Sequence, residues 1–183
     1  MILGCSVTIN VLAIGRNSYQ NSLDLCVTSR ALGASEITFI GKKDTQLADY
    51  MNKMASKWGG KFKVSFAKSY QEFMKSSDKA IKIYLTRYGT SLTEKSAMIS
   101  TYKRIVLIVT DKEDVDYINK VADFKISITS QPHCSAAAIA VFLHEYYKGR
   151  ELAMHFENAK YKISEKGDAE IKRQNGTASS KLP

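Results

Sequence analysis

At 183 residues the chain is long enough for one domain with a real core and leaves little room for a second. Hydrophobic residues at 44%, charged residues at 25% and only two prolines exclude a collagenous or linker-dominated chain. A net charge of +9 favours polyanionic partners such as nucleic acid or an anionic membrane surface, although a lysine coat that serves only solubility has the same composition.

Three cysteines, Cys5, Cys26 and Cys134, fit neither a disulfide framework nor a zinc site and read as free thiols of a reducing cytoplasm. No stretch approaches the ~20 apolar residues of a membrane span, so no membrane partner is expected. No His or Cys pair has metal-ligand spacing, and no metal is expected.

Strand-like and helix-like segments alternate along the chain. Thr8–Ile14 reads as a first strand, and Leu23, Cys26, Val27 and Ala31 recur at helical spacing over Tyr19–Leu32, with Gly33 as a C-cap. Glu36–Ile40 is a second strand. Leu47, Tyr50, Met51, Met54 and Trp58 form one helical stripe, opened by Asp44 or Thr45 and closed by Gly59-Gly60. Phe62–Phe66 is a third strand, and Ser69 with Glu72 makes a capping box for the next helix. Ala80–Leu85 is a fourth strand, followed by a second capping box at Ser91 and Glu94.

The run Arg104–Val109 is continuously apolar, the pattern of a strand covered on both faces of a parallel sheet. Thr110 and Glu113 are expected to cap the helix after it. Phe124–Ile128 is a sixth strand, and Ala136–Leu143 is apolar at every position, which predicts a helix buried nearly all round. Six such steps imply an α/β fold with a mainly parallel sheet and helices on both faces. Asn158–Ile163 reads as a further strand; the domain is taken as residues 1–163 and the polar stretch 164–183 as a loose tail.

In such sheets ligands bind beyond the carboxyl ends of the strands. Three of those ends are chemically unusual: Leu85-Thr86-Arg87-Tyr88-Gly89, Val109-Thr110-Asp111-Lys112-Glu113, and Ile128 through Ser135. They offer hydroxyls and backbone amides to a polar ligand, and they are equally the turns and caps that every βα unit needs. A glycine-rich dinucleotide loop and a P-loop are both absent, which argues against a nucleotide-binding metabolic enzyme. His133 beside Cys134 is too close in sequence to be taken as a nucleophile–base pair. Lys53–Lys82 holds eight lysines against Glu72 and Asp78. Trp58, Phe62, Phe66, Tyr70 and Phe73 lie among them at core spacing, leaving the lysines as the RNA-contact candidates, chiefly Lys53, Lys57, Lys61, Lys63 and Lys68.

At these loops the sequence resembles the archaeal tRNA cytidine-56 2′-O-methyltransferase family, a branch of the SPOUT knotted methyltransferases. The matching stretches are Ser29-Arg30-Ala31-Leu32-Gly33-Ala34, Lys57-Trp58-Gly59-Gly60, Leu85-Thr86-Arg87-Tyr88-Gly89, Ala122-Asp123-Phe124 through Gln131-Pro132-His133, and Phe156–Ile163. The similarity runs from about Thr8 to Ile163. It implies a C-terminal trefoil knot, a homodimer packed through the knot, tRNA as substrate and S-adenosylmethionine as methyl donor. The implied cofactor positions are Leu85, Thr86 and Gly89; Thr110, Asp111, Lys112, Glu113 and Asp114; and Ile128, Thr129, Ser130, Gln131, Pro132, His133, Cys134 and Ser135, with Ile128 and Val109 as an apolar floor. Arg16 is the nearest match to the family's first-loop arginine and the first catalytic candidate. Arg30 is the second, and equally a structural ion-pair partner. The chain departs from the family in three places: Thr110 replaces a glycine, Cys134 replaces a serine, and the first βα loop is shorter. The alternatives are a related methyltransferase for another RNA nucleotide, or a non-catalytic RNA-binding protein on the same fold.

Overall fold

The computed structural model describes residues 7–15, 17–112 and 115–171. Six parallel strands form one sheet: β1 (Thr8–Ile14), β2 (Glu36–Ile40), β3 (Lys63–Ala67), β4 (Ile81–Ser91), β5 (Arg104–Thr110) and β6 (Phe124–Ser127). Their order across the sheet is β3-β2-β1-β5-β4-β6. The chain therefore builds outward from β1 through β2 to β3, then crosses back and builds the other half. The switch point lies between β1 and β5, where crossovers leave in opposite directions and a crevice opens at the strand ends.

Alternation within the strands explains the two apolar cores. Ile9, Val11 and Ala13 of β1 and Ile105, Leu107 and Val109 of β5 face one side. Leu12 and Ile14, with Val106 and Ile108, face the other. The first side is covered by α1 (Tyr19–Ala31), α2 (Thr45–Trp58), α4 (Leu92–Ile99) and α6 (Ser135–Tyr147). The second is covered by the short helices α3 (Tyr70–Ser76) and α5 (Asp116–Val121), through Phe73 and Ile118. Burial on both faces is why β5 reads as an unbroken apolar run.

Several local expectations hold. The Asp44 carboxylate accepts the Leu47 N–H at 3.0 Å and Ser69 Oγ accepts that of Glu72 at 3.2 Å, so both residues cap their helices. Phe66 stacks on Phe39 at 5.9 Å and Tyr70 on Tyr117 at 4.4 Å, placing those aromatics in the core rather than on an RNA surface.

Other expectations fail for identifiable reasons. The Ser91 hydroxyl bonds that of Thr93 at 2.8 Å and caps no backbone amide, because Ser91 is still paired with Ser127 as the last residue of β4. Thr110 caps no helix: it ends β5 opposite Ile14, and α5 begins only at Asp116. In α1 the buried stripe is Ser22, Leu25, Cys26, Ser29 and Arg30, one position from the expected set, since small serines let α1 lie close to α6. Helix α6 buries Ala138, Ile139, Phe142, Leu143 and Tyr146 but leaves Val141 47% exposed, so it is covered on one side and not all round. Residues 161–170 form an antiparallel hairpin, β7 (Tyr161–Ser164) and β8 (Gly167–Glu170), so the expected boundary at residue 163 falls inside an ordered element. The hairpin is held to the end of α2. The Lys57 ammonium sits 4.9 Å from both the Trp58 and Tyr161 ring centres and 3.4 Å from Asp168, and Lys160 N–H donates to the Lys57 carbonyl.

One detail of β4 shapes everything downstream. Leu85 and Thr90 both lie opposite Ile126 of β6, so residues 86–89 leave the ladder as a loop and the strand then rejoins its neighbour. Gly89 permits this: a Cβ there would stand 2.5 Å from the Lys125 carbonyl carbon and 2.6 Å from the Ile126 nitrogen. Both atoms belong to backbone and cannot swing aside. Gly89→Ala is therefore expected to cost about 1–3 kcal/mol by forcing β4 and β6 apart. Urea denaturation checks it; an unchanged midpoint would show that the loop does not depend on that close approach.

Candidate active site

At the switch point a cleft of about 350 Å³ opens beyond the carboxyl ends of β4, β5 and β6. Leu85, Thr86 and Arg87 line it from the β4 loop; Val109, Thr110, Asp111 and Lys112 from the end of β5; and His133, Cys134, Ser135 and Ala138 from the entry to α6. Asn17 and Asn21 close it from the side of β1 and α1. The three strand-end segments singled out by the sequence thus meet around one space.

Its floor is apolar: Leu85, Val109 and Ala138 are all buried. The rim carries hydroxyls, a carboxylate and two cations. Two helix N-termini converge on it, those of α1 and α6, and their unpaired N–H groups favour negatively charged ligand atoms. Ser18 Oγ caps α1 by accepting the Asn21 N–H at 3.2 Å. At α6 the cap is Cys134, whose thiol accepts the Ala137 N–H at 3.5 Å.

Thr110, the residue most able to obstruct the cleft, is tied into its wall. Its hydroxyl meets the Tyr84 hydroxyl at 3.2 Å and donates to the Lys112 carbonyl. Asp111 N–H donates to the Ile14 carbonyl at 3.2 Å, and the Asp111 carboxylate occupies the space beside Gly15 that a Cβ would fill. The turn after β5 is thereby fastened to the end of β1.

Not every expected residue reaches this cleft. Gly89 faces away, toward β6. Ile128 packs into the core, and the floor place expected for it is taken by Leu85 and Ala138. Thr129, Ser130, Gln131 and Pro132 are outside the cleft lining; the Thr129 hydroxyl accepts the Gln131 N–H and shapes the turn that delivers His133. Glu113, Asp114 and Arg16 lie outside the described residues. Arg30 is also outside the cleft lining. It is 7% exposed, its Nη2 donates to the Gly59 carbonyl at 2.6 Å, and its guanidinium lies 4.9 Å from the Phe156 ring centre. Burial pushes its pKa down from the ordinary value. Arg30 pins α1 to the end of α2 and to the segment before the hairpin.

Among the lysines, Lys57 packs against two aromatic rings and pairs with Asp168, contacts that tie it to the hairpin, while its side chain stays 46% exposed. Lys61 pairs with Glu157 and Lys63 with Glu36, but both lysines remain largely exposed and such surface pairs are weak enough for a phosphate to displace. Lys53 and Lys68 are exposed. Sequence reading missed Asn17 and Asn21 as cleft residues, and it singled out the strand end that holds Arg87 without naming Arg87 itself as a site residue. The carboxyl end of β1 points to the same crevice as the other strand ends, which is the signal that could have found the asparagines.

The open, parallel α/β sheet is the fold of solved RNA methyltransferases of the SpoU/TrmH class. Streptomyces viridochromogenes AviRb, a SpoU methyltransferase solved with AdoMet, superposes with a TM-score of 0.61 at 14% identity, over 79% of this chain and 58% of that one. The chain thus spans little more than half of that structure. The A. aeolicus TrmH/SpoU tRNA-modifying enzyme gives 0.59 at 16% identity, over 81% and 78%. A Methanobrevibacter smithii protein named tRNA (cytidine(56)-2′-O)-methyltransferase is 34% identical over 164 residues, covering 86% of this chain and 91% of that protein. The pattern of the tRNA ribose 2′-O-methyltransferase family, aTrm56, matches residues 58–172. The chain belongs to that family.

Two substitutions probe this arrangement. Sulfur is a weak acceptor, so Cys134→Ser should strengthen the α6 cap by about 0.5–1 kcal/mol and raise the melting temperature by roughly 1–4 °C; a lower melting temperature would contradict the cap. Arg30→Met should cost about 1.5–3 kcal/mol of stability, since it removes a charged donor from the Gly59 carbonyl. Its turnover per folded molecule should stay near wild type, and a large loss of kcat without loss of stability would return Arg30 to the catalytic list.

Proposed function

We propose that this chain methylates the ribose 2′-hydroxyl of tRNA cytidine 56, in the T-loop, using S-adenosylmethionine as donor. The observation that carries the proposal is the convergence of three strand-end loops on one cleft with a buried apolar floor and a polar rim, in a chain of this family. The residues present suit the donor. Leu85, Val109 and Ala138 can take the faces of an adenine ring, while backbone groups of the loops and the hydroxyls of Thr86 and Ser135 can read its polar edges. A cleft of about 350 Å³ is within the range of small-molecule sites. Thr110 is compatible because its side chain is bonded into the wall.

S-adenosylmethionine supplies a methyl group made electrophilic by its sulfonium. The protein's own work is to hold the ribose in line, a contribution of roughly 7–11 kcal/mol when geometry is right, and to keep water from the floor. The 2′-oxygen becomes nucleophilic as its proton leaves, so a cation beside it lowers the barrier. Arg16 is proposed for that place. Its neighbour Asn17 lines the cleft and Gly15 is packed on Asp111, which supports its position in the sequence as the relevant one. The 2′-hydroxyl also accounts for choosing RNA over DNA.

The trefoil knot and the homodimer belong to the same proposal. Supporting the knot is the way β6 lies under the looped-out part of β4 before α6 turns back to pack on α1 and α4. Supporting the dimer is the uncovered side of α6 with Val141, together with exposed Met98 on the adjoining α4. A second copy would cover this apolar surface. A tRNA substrate, with Cys26 and Cys134 as free thiols, supports a cytoplasmic location for the activity; burial pushes the Cys26 thiol up to about 12, which leaves it inert. No helix among the described residues is long and apolar enough to cross a membrane, and no cluster of metal-binding side chains occurs among them.

The test is transfer of labelled methyl to an unmodified tRNA transcript, followed by mapping of the modified ribose. Label on a base, or on a ribose other than that of cytidine 56, would replace this reading with another RNA methyltransferase. S-adenosylmethionine at 100 times its Kd should add ~2.7 kcal/mol, or about 5–10 °C in melting temperature, and no shift would leave a silent RNA-binding protein. Arg16→Ala should lower transfer at least tenfold; a loss under about threefold would remove Arg16 from the mechanism.

A further inference from the structure

A second concavity, of about 370 Å³, lies on the other side of the β4 loop, against the open edge of β6. Thr86 and Arg87 line the cleft, whereas the next residues, Tyr88 and Gly89, line this groove. The two spaces therefore flank the same β4 loop. Lys95 of α4 and Lys125 of β6 flank the groove, with Phe124 at its base.

Tyr88 is the most unusual residue of this surface. It is 65% exposed although most of the other aromatics are built into the core. The turn holds it there: Tyr88 N–H donates to Thr86 Oγ1 at 3.3 Å, and Gly89 presses the backbone onto Lys125. The charge balance is positive. Lys125 is exposed, and the Lys95 pair with Glu94, at 3.6 Å, is a surface contact of little strength. The single acid at the groove, Asp123, directs one oxygen to the Lys82 N–H at 2.7 Å. An exposed aromatic ring between two lysines is what a single-stranded nucleic acid requires: a π-face for a base and cations for its phosphates.

We propose that this groove is an RNA subsite in which Tyr88 stacks on the base of a nucleotide flanking the methylated one, while Lys95 and Lys125 contact the adjoining phosphates. The inference rests on the ribose-methyltransferase reading, and it makes Tyr88 a positioning residue. With one face of the neighbouring base held, the target ribose is delivered across the Thr86–Arg87 rim into the cleft. The constraint is sequence-tolerant at the flanking position, because every base presents a stackable face.

The experiment uses the full chain with unmodified tRNA transcript. Tyr88→Ala should weaken tRNA binding and raise KM about tenfold, equivalent to ~1.4 kcal/mol, with kcat at saturating tRNA changed less than threefold. Tyr88→Phe and Tyr88→Trp should restore binding, and the Trp variant should show fluorescence quenching by tRNA beyond that of the wild-type chain, which carries Trp58 alone. Lys95→Ala and Lys125→Ala should each lower the salt slope of binding by about one. The S-adenosylmethionine Kd should be unchanged throughout. Wild-type affinity in Tyr88→Ala overturns the proposal. So does a reduced molar mass of that variant by light scattering, which would assign Tyr88 to a subunit contact. A weakened S-adenosylmethionine Kd would also overturn it, by assigning the loop to the cofactor cleft alone. Failure of the wild-type protein to methylate any ribose would instead remove the reading beneath it, and is distinguished by that control.

Discussion

The close contact between Gly89 and the backbone of β6 is the constraint on which the functional end of this molecule depends. Parallel pairing alone would carry β4 straight past Ile126, with its side chains spent on the two cores. Because Leu85 and Thr90 share that one partner, four residues are released from the ladder exactly where the strand ends gather. Two of them, Thr86 and Arg87, then become cleft wall, and the other two become the border of the neighbouring groove. A strand without a glycine at this point would have to choose between pairing and looping. Here it does both, and the rejoined pair Ser91–Ser127 holds the far side of the loop in place.

A second set of contacts works at a distance from the cleft to keep α1 and α6 in register with the sheet. Arg30 ties α1 to Gly59 and Phe156, and the Tyr147 hydroxyl donates to the Gly33 carbonyl at 2.9 Å. Tyr146 likewise reaches the Tyr102 carbonyl at 2.6 Å. These bonds lie at the carboxyl ends of the two helices, and they set the angle at which the opposite ends, bearing Asn17, Asn21 and Cys134, enter the site. Arg30, a catalytic candidate by its neighbours in sequence, is in this structure part of the brace. Its buried charge is tolerable because a carbonyl and a ring face share it.

Much of the architecture was legible in the sequence because the deciding signals are local. The unbroken run of β5, the Asp44 and Ser69 caps and the Gly59-Gly60 stop each depend on residues within a few positions of one another. The errors arise where a tertiary contact outweighs a local preference. Ser91 has the spacing of a cap, but strand pairing with Ser127 holds it. Thr110 has the same spacing, yet its place opposite Ile14 keeps it in the sheet. The strand-end rule located the cleft and the segment holding Arg87, whereas Asn17 and Asn21 became site residues only through the crossing of distant elements. The lysine stretch shows the same limit. Composition could count the charges but could not tell that Lys57 packs against Trp58 and Tyr161.

Thr110 illustrates how a departure from a family pattern can be absorbed. Glycine is favoured beside a bound cofactor because it brings no side chain into the space. A threonine there has two ways to fit: the cleft can widen, or the hydroxyl can find partners in the wall. The second holds, since Tyr84 presents its hydroxyl from the opposite core at 3.2 Å and the Lys112 carbonyl accepts the Thr110 proton. Tyr84 is itself almost wholly buried, so the accommodating group is fixed by packing rather than by the ligand. The β5 turn is then braced twice, through Tyr84 on one side and through the Asp111 amide and Ile14 on the other. A loop held in this way has its polar groups aimed before any ligand arrives, and less ordering remains to be done on binding.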